Sequence, residues 1–137
     1  MAIELHYREE GRGVLVAGSG TVTGAELLAV NDEIYSPTRL SRLQYQLMDF
    51  SHAEKVEISG DEIRALAAQD ARAAREKPGL LLVVVPRTEL GFGLSRMWAG
   101  NLELSGAHIE PHVCRTVQEA EEWLEQHRAR PPEESPT

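Results

Sequence analysis

The chain has 137 residues, 42% of them hydrophobic, which suits one domain with a buried core and argues against disorder. Its formal charge of −8 disfavours nucleic acid, whose phosphates would repel it, and no basic run exceeds isolated pairs. No stretch approaches the roughly 20 apolar residues that span a bilayer. The N-terminus lacks the basic and apolar regions of a signal peptide, and Cys114 is the only cysteine, so a reducing cytoplasm is the expected home.

The opening residues Ile3-Glu4-Leu5-His6-Tyr7 alternate apolar and polar, the period of a half-buried strand. Gly11-Arg12-Gly13 signals a turn, and Val14-Leu15-Val16-Ala17 completes an expected hairpin that Gly18-Ser19-Gly20 breaks. Thr23 with Glu26 makes a capping box, and Leu27, Val30 and Ile34 recur at helical spacing, predicting a first helix that Ser36-Pro37 ends. A core strand over Leu43–Met48 leads into Asp49-Phe50-Ser51. Ser59 and Glu62 form a second capping box, opening a helix whose expected buried stripe is Ile63, Leu66, Ala67 and Ala74.

Leu80-Leu81-Leu82-Val83-Val84-Val85 is a continuous apolar run, as expected of a strand covered on both faces at the centre of a sheet. A third helix is expected from Gly91-Phe92-Gly93-Leu94-Ser95-Arg96-Met97-Trp98. His108–Cys114 reads as a weaker strand, with Pro111 at an edge or at a first position. Thr116 and Glu119 form a third box, opening a last helix with Ala120, Trp123 and Leu124. The elements predict an α/β fold over residues 3–128: a mixed, mostly parallel sheet with an N-terminal hairpin and about four helices. Residues 129–137 are polar and proline-rich and are expected to be disordered.

In order and spacing, several motifs resemble the STAS-like group called SpoIIAA-like, related to the anti-sigma-factor antagonists. They are Gly20-Thr21-Val22-Thr23, Asp49-Phe50-Ser51, Ser59-Gly60, Val85-Pro86 leading to Gly91–Met97, and Cys114-Arg115-Thr116 leading to Glu119–Leu124. The resemblance implies a STAS fold and a non-enzymatic regulatory module of bacterial signalling that binds a protein partner. In that family an Asp-Ser-Ser-Gly turn carries a serine phosphorylated by a partner kinase. The matching stretch here is Glu57-Ile58-Ser59-Gly60, so only the Ser-Gly half is kept. The resemblance makes Ser59 the candidate phosphoacceptor, whereas the residues themselves favour a structural cap completed by Glu62. Asp49, Ser51, Glu62 and Arg64 are the other candidate partner-binding residues.

No constellation of acid, base and nucleophile is legible, and neither a cofactor nor a metal is implied. His108 and His112, four apart on a strand, would stand roughly 13 Å apart at about 3.3 Å per residue and could not share a metal. Asp49, at the carboxyl end of a core strand, is read as capping the next loop. Cys114 is read as a small core residue, the alternative being a thiol made acidic by Arg115. Gly91 and Gly93 ahead of a helix, with Arg87 and Arg96, offer a weak anion site. Phe92, Leu94, Met97 and Trp98 are read first as packing onto the sheet. Their alternative is an exposed face that takes a small apolar or lipid-like ligand, meets a partner, or makes peripheral membrane contact. A homodimer through an edge strand or the third helix is a further option.

Overall fold

The structure, a computed structural model, describes residues 2–128, so the expected disordered tail lies outside the described residues. Five strands form one sheet in the order β1-β2-β3-β4-β5. β1 (Ile3–Arg8) and β2 (Gly13–Thr23) pair antiparallel, and β3 (Tyr45–Glu57), β4 (Leu81–Val85) and β5 (Pro111–Val113) follow parallel to β2. The helices are α1 (Gly24–Ile34), α2 (Pro37–Leu40), α3 (Gly60–Glu76), α4 (Glu89–Leu104) and α5 (Val117–His127). Five helices replace the expected four because Pro37 does more than end α1. Its fixed φ and missing N–H suit a first helical position, and it opens the one-turn α2.

The sheet grows in chain order, each parallel strand being added beside the last. Right-handed crossovers between strands so ordered place their helices on one face. Accordingly, residues of α1, α3 and α4 share a core with Val14, Val16, Leu82 and Val84. Val83 and Val85 point the other way, where Ala120 and Leu124 of α5 cover them together with Tyr45 and Leu47. The apolar run of β4 is therefore buried on both faces, as its composition predicts.

Three boundaries correct the sequence reading. Gly18-Ser19-Gly20 does not break β2. The strand continues to Thr23 with register shifts between Ala17 and Ser19 and between Gly20 and Thr21, and Gly20 takes a φ of 62°. Bulges absorb the glycines. β3 likewise runs on to Glu57, paired with β2 alone beyond Asp49, so Asp49 lies within the strand and opposite Val85, the last residue of β4. The last strand shrinks to Pro111–Val113, leaving His108 in the preceding loop at a φ of 48°. The two histidines therefore do not share a strand.

The hairpin turn holds Glu9, Glu10 and Gly11 at positive φ. Glu9 is anchored there by Arg128, whose Nη1 donates to Oε1 at 2.8 Å, and by the Tyr45 hydroxyl, which donates to Oε2 at 3.3 Å.

Candidate functional site

Two regions hold the residues singled out by the sequence. The first is the start of α3. Ser59 is its exposed N-cap: Oγ accepts from the Glu62 amide at 3.1 Å, and Glu62 Oε1 accepts from the Ser59 amide at 2.9 Å. The Glu62 carboxylate also lies against Gly24, where any Cβ would overlap it, so the capped starts of α1 and α3 abut. Arg64 pairs with Asp61 on the exposed side of the same turn. A Cβ on Gly60 would meet Arg64 Nη1 at 3.8 Å and Met97 Cε at 4.0 Å, so this turn of α3 borders α4. Asp49 and Ser51 stand apart from this group in their bonding. Asp49 Oδ1 accepts from the Ser51 hydroxyl at 2.6 Å and from its amide at 3.0 Å.

The second region is α4 and the space beneath it. Thr88 caps the helix, its Oγ1 accepting from the Gly91 amide at 3.0 Å. Gly91 and Gly93 therefore lie within α4 rather than ahead of it, and the amide an anion would use at Gly91 is already bonded. A Cβ on Gly91 would come to 3.2 Å from Pro86 Cβ, so close packing explains this glycine. Arg87 and Arg96 are exposed. The apolar stripe divides: Trp98 is buried, Leu94 is half-buried, and Met97 is 44% exposed. Phe92 is half-buried, with the Arg115 guanidinium 5.2 Å from its ring centroid. Leu90 and Leu104, each seven residues from Met97, are 60% and 88% exposed.

Under α4, between the sheet and helices α1 and α3, lies a cavity of about 60 Å³. Leu94 and Trp98 line it, with Val30, Phe50, Val56 and Leu66 among the other apolar walls. Arg87 stands among its lining residues, and so does Asp70 of α3, a carboxylate only 2% exposed. Three groups donate to Asp70: the Tyr35 hydroxyl and Asn31 Nδ2 to Oδ1, at 2.6 and 3.2 Å, and Trp98 Nε1 to Oδ2 at 2.7 Å. Gln46 Nε2 donates in turn to the Tyr35 hydroxyl at 2.9 Å. Burial raises the Asp70 pKa from 3.8 to about 6, against the lowering effect of its three donors. Burial and the Asp70 charge push Tyr35 well above its usual value, so the phenol stays a donor.

Sequence reasoning missed this network. In Gln69-Asp70-Ala71-Arg72 the aspartate looks like part of a charged surface. The one available signal was its place seven residues after Ile63, on the stripe that was read as buried. Cys114 is the buried core residue it was read as, and the alternative falls: burial pushes its thiol up to about 11, with Glu119 adding to the rise, so Arg115 does not acidify it. Among the described residues no group of three or more histidine, cysteine or acidic side chains could hold a metal. No helix among them is long and apolar enough to cross a membrane.

No protein-family model matches the sequence, and no curated protein matches it significantly. Among solved structures, the anti-sigma factor antagonist SpoIIAA in its unphosphorylated form aligns with a TM-score of 0.64 at 11% identity, covering 91% of this chain and 97% of that one. The chain has the SpoIIAA fold. An uncharacterised DUF3478-family protein from Shewanella loihica PV-4, described as having a SpoIIAA-like fold, aligns at 13% identity and a TM-score of 0.48, over 90% of this chain and 92% of that one. On the SpoIIAA-like frame, the Ser59-Gly60 pair opens α3 and the apolar residues of α4 roof the cavity.

Proposed function

We propose that the chain is a non-enzymatic regulatory module that binds a protein partner where the start of α3 meets the exposed ridge of α4. The carrying observation is the continuity of this surface: exposed Ser59 and Arg64 adjoin Gly60 and the exposed Met97, with Leu90 further along the same stripe. The likeness of fold to an anti-sigma factor antagonist supports the reading. A phosphate on Ser59 Oγ would add charge beside Glu62 and disturb the capping box, giving the surface an electrostatic switch.

Variants at this surface test the reading. Met97→Glu and Arg64→Glu should each reduce retention of the cellular partner about tenfold, a loss of about 1.4 kcal/mol, without lowering the melting temperature. Arg72→Glu, about 12 Å further along α3, should leave retention unchanged. Equal retention by all three variants would count against this surface.

A second reading is favoured by the cavity beneath α4: the module carries or senses a small apolar ligand. Native mass spectrometry of the protein from its own cells should then show a mass excess that disappears on denaturation. A bare mass in both states would remove the support for a resident ligand.

A further inference from the structure

We infer that the cavity under α4 is selective for a small apolar molecule bearing a hydrogen-bond-donating head, a hydroxyl or an amine, which Asp70 binds through Oδ2. The inference rests on the ligand-binding reading above and deepens it.

The cavity walls are almost wholly apolar, which an alkyl body satisfies and which gives no preference among head groups. Asp70 is the one acidic residue among those that line it. An ionised carboxylate offers about four acceptor positions. Oδ1 takes two donors, Asn31 and Tyr35, whereas Oδ2 takes one, Trp98 Nε1. One position on Oδ2 is therefore left for a donor.

Charge points the same way. The groups facing the carboxylate are an amide from α1, a phenol following it and an indole from α4, all neutral donors. Arg87, the one cationic residue lining the cavity, is exposed. An ammonium or hydroxyl head would add a donor to a carboxylate that lacks a buried countercharge. A carboxylate head would place like charges together without water, so fatty-acid-type ligands are disfavoured. Size limits the body. A cavity of about 150 Å³ takes benzene, so about 60 Å³, less than half of that, limits the body to one or two carbons.

The test holds the body constant and varies the head. Ethylamine, ethanol and acetate are titrated separately into the ¹⁵N-labelled protein, with dissolved xenon as a probe that has no head group. The reporter is the indole N–H resonance of Trp98, the donor to Oδ2, and Trp123 is changed to Phe for assignment. Ethylamine and ethanol should shift that resonance saturably, with affinities about tenfold above that of acetate, as one hydrogen bond to a charged group implies. Asp70→Asn should abolish the preference while xenon still enters.

If xenon binds but the three heads bind equally, Asp70 does not select the ligand and the cavity reading survives. If neither xenon nor any of the three probes binds, the cavity reading falls as well. Should Asp70→Asn fail to fold, the order of the heads on the unsubstituted chain decides the matter alone.

Discussion

A carboxylate with three donors and no cation beside it costs stability whenever it is ionised, and Asp70 is in that position. Its folded pKa of about 6 lies above the ordinary 3.8, so the folded chain holds this proton more tightly than the unfolded one. The stability Asp70 contributes is full below about pH 4 and is lost as the pH rises through about 6, a change of about 3 kcal/mol. Urea unfolding at a series of pH values should show Asp70→Asn weaker than the unsubstituted chain at pH 4, with the gap closing by pH 7. Ser59 gives a second contrast. Ser59→Ala should cost about 1 kcal/mol, whereas Ser59→Asp, an equally good cap, should cost almost nothing. If Ser59→Asp nevertheless loses the partner, negative charge at the cap regulates binding. The capping boxes were legible in the sequence because cap and acceptor lie three residues apart. The Asp70 network was not, since its partners are 28 to 39 positions distant in the chain.

The parallel strands and their crossover helices followed from periodicity, but two strands ran past their predicted ends. β2 and β3 extend each other, and a strand's length depends on a partner that a local window does not contain. The glycines of β2 looked like breaks because their role is steric. Gly18 faces Phe50, whose ring carbon would be 2.8 Å from an added Cβ, and Gly13 faces the Tyr45 ring, which an added Cβ would overlap. Gly13→Ala should therefore displace Tyr45 from its bond to Glu9 and destabilise the hairpin by about 1–3 kcal/mol, measurable by chemical denaturation. The start of α4 was placed two residues late, because the glycines at 91 and 93 hid the Thr88 cap.

On the scale of the molecule, the sheet divides two unlike interiors. Four helices and the cavity lie on one side, and α5 covers the other core. Neighbouring valines of β4 sample both. Val84 lines the cavity, whereas Val85 is fully buried against the α5 side. Val84→Ile should fill space and stabilise by about 1 kcal/mol, while weakening the binding of small apolar probes. Val85→Ile should overpack and cost about 1–3 kcal/mol. Melting curves of the two variants, moving in opposite directions, would establish that the cavity has room for a methyl group. The sequence showed that β4 is covered twice, but a void is a property of shapes brought together from six elements and has no local signature.

The order in which the strands are laid down also bears on synthesis. Each strand pairs with its predecessor, so no early strand waits for a distant late one. As the chain leaves the ribosome, each parallel strand meets an edge already in place, and its crossover helix can dock on the face behind it. A nascent chain that has emerged only as far as Val85 therefore holds every strand it has made already paired, and the elements still to be added are α4, which roofs the cavity, a three-residue edge strand and the helix that seals the opposite face.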